Sequence, residues 1–263
     1  IEQNLPDRPA LAESVSIIRA NEAWSAGYTG SGQAVAVLDS GVDQTHPFLS
    51  GKVVAEACFS TTDFSNGIFS FCPDGQDQQT GNGAGVNCSS TIDGCEHGTH
   101  VAGIAAGKGD TFSGVAKEAS IIAVQVFSEF TLLETCGEKV PCSRTFRDDY
   151  NQGLSHVYSL RSNHTIAAVN MSLGSGEYSD QSLCDSERAS TKAQIDLLRS
   201  AGIATVVASG NEGYVNALSG PACISTAIGV GATWDVAGYK YPACDTEFSV
   251  VDKVACFSNS ASF

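Results

Sequence analysis

The sequence of 263 residues predicts an α/β protein with a parallel β-sheet that is covered by helices on both faces. Short runs of apolar and β-branched residues alternate with longer helical stretches, which is the pattern of strands joined by helical crossovers. The apolar runs are continuous and do not alternate with polar residues, so we expect the strands to be buried on both sides. With no internal repeat and no linker, residues 1–263 are expected to belong to one domain.

Five apolar runs are predicted to be the strands of this sheet. They are AVAVLD (34–39), IIAVQVF (121–127), TIAAVNMSL (165–173), IATVVAS (203–209) and STAIGVGAT (225–233). The first run ends at a Ser-Gly pair, which interrupts extended structure. Because functional groups of parallel sheets gather at the carboxyl ends of the strands, we expect them in the residues that follow these runs.

Three segments between the strands are predicted to be helices: HGTHVAGIAAG (97–107), RDDYNQGLSHVYSLRSN (147–163) and SERASTKAQIDLLRSAG (186–202). The second has acidic residues in its first turn and a basic residue near its end, as the helix dipole favours. The third is expected to stop at Gly202. Residues 60–95 are rich in Gly, Asn, Asp, Ser and Cys, and are predicted to form a surface insertion tied by disulfides.

Ten cysteines are scattered along the chain, with no CxxC pair and no histidine at zinc-finger spacing. We interpret them as up to five disulfides of a secreted, extracellular protein; reduced structural thiols are the alternative. The sequence does not fix the pairing, although Cys136 and Cys142 are close enough to close a short loop.

The composition argues against two classes of partner. There are 29 acidic and 14 basic residues, a net charge of −15, which disfavours binding to nucleic acid or to an anionic membrane. No apolar run is long enough to cross a membrane, and no signal peptide opens the chain. The abrupt start at residue 1 is interpreted as a mature form from which a targeting or pro-segment has been removed.

Three polar residues are candidates for chemistry because of where they stand relative to the predicted elements. Asp39 ends the first strand, His97 opens a helix, and Asn211 follows the fourth strand. Each also has a structural interpretation: Asp39 as a turn or capping residue, His97 as a structural histidine, and Asn211 as a left-handed turn residue. In the functional interpretation, the Asn211 amide donates to a developing oxyanion.

Four motifs occur in one order: VAVLDSGVDQTHP, HGTHVAGIAAG, NMSLGSG and ASGNEG. Together they resemble the subtilisin-like serine proteases, the subtilases, in pieces from about residue 11 to the end. The resemblance implies a subtilisin-like fold and a secreted serine endopeptidase, synthesised as a zymogen, that hydrolyses peptide bonds in proteins through an acyl-enzyme. Its partners would be protein or peptide substrates and a removed N-terminal pro-segment.

The resemblance assigns catalytic roles to three residues. Asp39 resembles the aspartate of the triad, which orients the imidazole and stabilises its cation. His97 resembles the general base, which takes the serine proton and returns it to the leaving amine. Asn211 resembles the side-chain donor of the oxyanion hole.

Two further segments resemble the walls of the substrate cleft. The first, which pairs with the extended substrate backbone, consists of Ser172, Leu173 and Gly174. The second, which forms the facing wall of the S1 pocket for the residue before the scissile bond, consists of Ala208, Ser209 and Gly210. Glu212 lies beside this pocket. It would either favour a basic P1 residue or point to solvent, and we prefer the second interpretation.

No cofactor is required for this chemistry, no side chain is assigned to a metal, and calcium would have a structural role only. The usual calcium loop of the family does not carry over, because Phe48 replaces an aspartate and KGDTFSG is shorter than the Asn-rich turn. A weaker site of backbone carbonyls at residues 221–227 is the alternative. We expect disulfides to take over the role that calcium has in relatives.

The Gly-Thr-Ser segment that carries the nucleophile in this family occurs nowhere in the sequence. Ser258, Ser260 and Ser262 lack the preceding glycine and a following helix, so none of them is predicted to be the nucleophile. We therefore expect a peptidase domain that is incomplete at its C-terminal side, with the catalytic serine outside these 263 residues. The alternatives are an inactive subtilase that binds peptides or proteins, and a disulfide-rich structural protein, which would not need the ordered Asp and His motifs.

Overall fold

The computed structural model describes residues 10–242, 244 and 248–263, so the start of the proposed mature form (residues 1–9) lies outside the described residues. The α-helices are α1 (Ala10–Ile17), α2 (Ala20–Ser25), α3 (His97–Ala106), α4 (Leu133–Cys136), α5 (Arg147–Ser159), α6 (Gln181–Glu187) and α7 (Ala189–Ser200). The strands are β1 (Ala34–Asp39), β2 (Val53–Phe59), β3 (Ile68–Ser70), β4 (Gln78–Thr80), β5 (Ser120–Gln125), β6 (Phe127–Phe130), β7 (Cys142–Thr145), β8 (Ile166–Met171), β9 (Ser175–Tyr178), β10 (Ala204–Ala208), β11 (Leu218–Gly220) and β12 (Ile228–Val230).

The central sheet of the described residues has the strand order β12-β10-β8-β1-β5-β2-β4. Neighbouring strands are parallel except for β4, which pairs with β2 in the antiparallel direction at one edge. Strands β2 and β5 lie on one side of β1, whereas β8, β10 and β12 lie on the other. Successive parallel strands are therefore added first on one side of β1 and then on the other, and in such sheets a crevice opens beyond the carboxyl ends of the strands where this change occurs.

Helices cover both faces of the sheet, as the continuous apolar strands predicted. One core packs α5 and α7 against the sheet and includes Leu38, Leu154 and Ile195, each fully buried. The other core lies under α3 and includes Val37 and Ile121. Neighbouring residues of β1 thus enter opposite cores, which explains why its sequence is apolar throughout. None of the described helices has the length and the apolar character needed to cross a membrane.

The structure confirms most of the predicted elements and corrects three of them. The predicted strand 121–127 is divided: β5 ends at Gln125, and Phe127 begins β6 in a different sheet. The last strand is much shorter than predicted, spanning only Ile228–Val230. The predicted helix 186–202 is wrong as a single element: helical structure begins at Gln181, and the backbone of Arg188 leaves helical geometry (φ −112°, ψ 30°) between α6 and α7. Strand β2 was not predicted, because its VVAEACF sequence contains a polar residue and borders the polar insertion.

All ten cysteines form disulfides, as their even number and secretory pattern predicted. The pairs are Cys58–Cys72, Cys88–Cys95, Cys136–Cys142, Cys184–Cys223 and Cys244–Cys256. Cys58–Cys72 joins the strand before the insertion at 60–95 to its interior, and Cys88–Cys95 lies within it. The prediction of a disulfide-tied insertion is therefore confirmed. The insertion is more regular than expected, because it contributes β4 to the central sheet and pairs β3 with β6.

Burial raises the pKa of the Asp149 carboxyl from an ordinary 3.8 to about 6, although hydrogen bonds from Thr61 act in the opposite direction. Asp149 lies in the first turn of α5 and is only 3% exposed. It accepts hydrogen bonds from the Thr61 amide (3.1 Å) and hydroxyl (2.9 Å). This contact fastens α5 to the beginning of the insertion.

Removing a disulfide that closes a long loop should cost more stability than removing one that closes a short loop. Cys184 and Cys223 are 39 residues apart, whereas Cys136 and Cys142 are 6 apart. Loop-closure entropy gives a loss of about 4 kcal/mol for the first pair changed to alanine and about 2 kcal/mol for the second. Chemical denaturation of both double variants measures the difference; equal losses would contradict the loop-length argument.

The raised pKa of Asp149 predicts a specific loss of stability as the pH rises. The folded state keeps a proton that the unfolded chain releases above pH 3.8, so this stabilisation is lost as the pH rises through about 6. Asp149→Asn should therefore gain stability relative to the native chain between pH 4.5 and 7. Denaturation curves at both pH values test this, with exposed Asp148→Asn as the control. A constant difference between Asp149→Asn and the native chain would contradict the prediction.

Candidate active site

A histidine and an aspartate meet at the carboxyl end of the central strand. Asp39 is the last residue of β1, His97 is the first residue of α3, and His97 Nδ1 lies 2.8 Å from Asp39 Oδ1. The aspartate is fully buried, whereas 47% of the histidine side chain is exposed. The imidazole therefore connects a buried carboxylate to an open cleft.

Close packing between α3 and the end of β1 makes this contact possible. A Cβ atom on Gly98 would collide with the Gly41 carbonyl and lie 3.0 Å from Asp39 Cβ, so this position requires glycine. The Ser40 hydroxyl accepts a hydrogen bond from the Gly98 amide (3.0 Å) and donates to the Cys95 carbonyl (3.2 Å). The Ser40 amide in turn donates to Asp39 Oδ1 (2.7 Å), which fixes the carboxylate.

The hydrogen bond to Asp39 raises the pKa of His97 above its ordinary 6.5, although burial acts to lower it. The charges of Asp39 and Glu96 act in the same direction as the hydrogen bond. Because the carboxylate accepts the Nδ1 proton, the neutral ring has its lone pair on Nε2. The pair can therefore accept a proton at Nε2 and hold the resulting cation, as a general base must.

A cleft of about 600 Å³ brings most of the predicted site residues together. Its lining includes His97, Ser172, Leu173, Gly174, Ala208, Gly210 and Asn211. Asp39 lies behind His97 and does not line it. Ser209 also lies outside the cleft: it is 4% exposed and lines a second cavity, with its hydroxyl 3.4 Å from Ser258 Oγ. Ala208 is the last residue of β10, and successive residues along a strand point to opposite sides, so the Ser209 side chain faces away from the cleft that Ala208 lines.

Asn259 holds the loop that carries Asn211, a role that sequence analysis missed. Its side-chain oxygen accepts from the amides of Glu212 (3.1 Å) and Tyr214 (2.9 Å). Its amide nitrogen donates to the Ser209 carbonyl (3.1 Å), and only 2% of the residue is exposed. The FSN stretch belongs to the resemblance, but nothing in the local sequence indicates contacts with residues about 50 positions earlier.

Glu212 is exposed, as the preferred interpretation expects, but its carboxylate is held by hydrogen bonds. Its Oε2 atom does not point freely to solvent, because it accepts hydrogen bonds from Asn259 Nδ2 (2.7 Å) and Ser219 Oγ (3.1 Å). The residue lines the cleft. Three arginines that the sequence did not single out line it as well, namely Arg144, Arg147 and Arg188.

The serines near the C-terminal end do not line the cleft that contains His97. Ser258 and Ser260 line the second cavity, and Ser258 Oγ accepts from the Ala232 amide (2.9 Å). In the described part of the chain, no serine hydroxyl forms a hydrogen bond with His97.

Calcium remains a prediction, and the described side chains do not form a carboxylate site for it. No three His, Cys, Asp or Glu side chains among them are grouped to hold a metal ion. A site at residues 221–227 would depend on backbone carbonyls, and those of Pro221 and Ile224 already accept hydrogen bonds from Ile224 and Ala227.

Comparisons with known proteins agree with this arrangement. The model of the subtilase family matches residues 30–262. The chain is 30% identical over 226 residues to the minor extracellular protease Vpr of Bacillus subtilis (strain 168), covering 86% of this chain and 23% of that protein. It is 31% identical over 223 residues to subtilisin E of the same strain, covering 83% of this chain and 45% of that protein. The chain thus spans less than half the length of these relatives.

Two solved structures have a similar fold. A psychrophilic protease aligns with a TM-score of 0.57 and 25% identity, covering 88% of this chain and 60% of its own. Sphericase aligns with a TM-score of 0.58 and 24% identity, covering 88% of this chain and 60% of its own. At this identity the similarity shows the fold alone. The predicted subtilisin-like fold is therefore confirmed.

Replacing Asn259 with alanine should destabilise the chain strongly, because it leaves the amides of Glu212 and Tyr214 without their acceptor. Loss of these partly buried hydrogen bonds, together with the bond to the Ser209 carbonyl, should cost about 3 kcal/mol of unfolding free energy. Denaturant titration measures the loss. The matched control is Asn211→Ala in the same loop, where the side chain is exposed and the change should be below about 0.5 kcal/mol. Equal effects would show that Asn259 does not hold the loop.

Proposed function

The chain belongs to the subtilase family, and from this premise we propose that it is part of a secreted serine endopeptidase. The observation that carries the proposal is the 2.8 Å contact between His97 Nδ1 and buried Asp39 at the edge of the cleft. Secretion is supported by five disulfides and by the extracellular protease among the relatives. Synthesis with an N-terminal pro-segment is part of the same proposal.

In the proposed reaction, His97 transfers protons while Asp39 remains ionised. His97 Nε2 takes the proton of a serine hydroxyl as that oxygen attacks the carbonyl carbon of the substrate. The imidazolium, stabilised by Asp39, then gives this proton to the leaving amine, and the acyl-enzyme forms. Water attacks the ester with its proton passing to His97, and the same proton returns to the serine oxygen when the acid product leaves.

Two sides of the cleft are proposed to position the substrate. The segment from Ser172 to Gly174 would pair with the extended peptide backbone. Asn211 would donate its side-chain amide to the oxyanion of the tetrahedral intermediate. The backbone that follows Asn211 is held by Asn259, which accepts hydrogen bonds from the amides of Glu212 and Tyr214.

The nucleophile is proposed to be a serine outside these 263 residues. Two observations support this: the Gly-Thr-Ser segment of the family is absent from the sequence, and no described serine hydroxyl is bonded to His97. The protein should be labelled with a fluorophosphonate and measured by denaturing and peptide mass spectrometry. One adduct on a serine outside this sequence is expected. An adduct on Ser258, Ser260 or Ser262, or none, would contradict the proposal, and absence of labelling would favour a peptide-binding module.

The raised pKa of His97 predicts the acid limb of the activity profile. Only the neutral imidazole accepts a proton, so kcat/KM should fall as the pH decreases through a midpoint above 6.5. Asp39→Asn should move this midpoint to lower pH and reduce kcat by about 10⁴-fold, because the raising interaction and the correct tautomer are both lost.

Two matched variants distinguish the role of His97 from that of a histidine in the same helix. His97→Ala should abolish hydrolysis. His100→Ala, in the same helix but lining a different cavity, should keep both the rate and the midpoint. If the midpoint of the acid limb does not move in Asp39→Asn, the group that titrates there is not His97.

A further inference from the structure

A buried arginine without a carboxylate partner lies at the cleft. Arg188, between α6 and α7, is only 4% exposed. Its guanidinium donates to the hydroxyls of Tyr178 (3.3 Å) and Tyr150 (3.0 Å) and to the Ser175 carbonyl (2.9 Å), which are all neutral acceptors. Among the described residues, no carboxylate lies within 4.0 Å of it. Arginine does not lose its proton in proteins, so this buried charge lacks a counter-ion.

The position of Arg188 places this charge against Gly220 in the lining of the cleft. The guanidinium lies directly against Gly220, where any side chain would collide with it. The Gly220 carbonyl lies 3.2 Å from the point that a Cβ atom on Gly174 would occupy, so Gly220 is adjacent to the wall that contains Gly174. Arg188 lines the same cleft as Gly174, Ala208 and Gly220. Gly174 and Ala208 belong to the two walls that the family resemblance assigns to the S1 pocket.

The unused hydrogen-bonding capacity at Arg188 fits a carboxylate. A guanidinium has five N–H groups, and three are used, so one remains on each terminal nitrogen. The hydroxyls of Tyr150 and Tyr178 accept from Arg188, which leaves their own protons to be donated. Two acceptor oxygens with a negative charge match these donors, whereas an ammonium group would be repelled.

The other charges of the cleft point in the same direction. Arg144 and Arg147 line it together with Arg188, although acidic residues outnumber basic ones about two to one in the whole chain. Among the described residues that line the cleft, Glu212 is the only acidic one, and its Oε2 already accepts hydrogen bonds from Asn259 and Ser219. A cationic cleft in an acidic protein concentrates negatively charged substrate segments at the site.

We propose that Arg188 is the specificity determinant of the S1 pocket and that this subtilase cleaves after glutamate or aspartate. The P1 carboxylate of the substrate is the counter-ion that Arg188 lacks, and the two tyrosine hydroxyls complete its binding site. The proposal deepens the proposed function and rests on it.

Fluorogenic peptides that differ only at P1 test this specificity in the protein that includes the catalytic serine. The P1 residues are Glu, Gln, Phe and Lys, and the Glu–Gln comparison isolates the charge because the side chains have the same shape. We expect kcat/KM to be at least about tenfold higher for Glu than for Gln, as charge-assisted recognition in a buried site provides. A ratio near one, or a preference for Phe or Lys, would overturn the proposal.

Variants of the pocket locate the effect. Arg188→Met should bring the Glu:Gln ratio close to one. The control Arg161→Gln changes an arginine that stacks on Tyr158 and does not line the cleft, and it should keep the ratio. If Arg188→Met does not fold, Tyr150→Phe serves instead: it removes one donor hydroxyl and should lower the Glu:Gln ratio severalfold. An unchanged ratio in the variant that folds would overturn the proposal.

Binding measurements separate a failure of this inference from a failure of the proposed function. If no peptide and no protein is cleaved, the proposed endopeptidase activity fails. The specificity is then tested by fluorescence anisotropy with labelled peptides that end in Glu or Gln at P1. Tighter binding of the Glu peptide, lost in Arg188→Met or weakened in Tyr150→Phe, would support the pocket. Equal binding would overturn it.

Discussion

The approach of α3 to the end of β1 is the contact on which the rest of the site depends. Gly98 permits that approach, and Ser40 bonds the two elements to each other, so His97 and buried Asp39 meet at 2.8 Å. A buried carboxylate is costly unless it is hydrogen-bonded, and His97 and the Ser40 amide both donate to Asp39 Oδ1. The same interaction that pays for burial of Asp39 therefore raises the pKa of His97 and fixes its tautomer.

The cleft is built from loops that distant polar residues hold in place. Asn259 fastens the loop after β10, and Arg188 fastens β9 to α5 through Ser175 and Tyr150. The disulfide between Cys184 and Cys223 joins α6 to the segment that follows β11, close to the same wall. Loops at strand ends have few apolar contacts of their own, so buried hydrogen bonds and a covalent link supply their order.

The charge distribution relates the fold to the proposed specificity. Arginines collect at the cleft of a chain whose net charge is −15, and Arg188 is buried there among neutral acceptors. Retaining such a group is unfavourable for folding unless a ligand provides the missing charge. The buried charge of Arg188 is unfavourable in the free protein. It would select the substrate because the P1 carboxylate compensates that charge only on binding.

The sequence by itself determined the covered parallel sheet, the family, the Asp39 and His97 positions and the oxidised state of the cysteines. These follow from local features: apolar runs, ordered motifs and an even cysteine count. Tertiary structure decided which cysteines pair, that Ser209 faces away from the cleft and that the Glu212 carboxylate is hydrogen-bonded. It also decided that Arg188, between α6 and α7, lines the cleft. Those features depend on side-chain direction and on contacts between residues far apart in the chain, which no local pattern of residue types encodes.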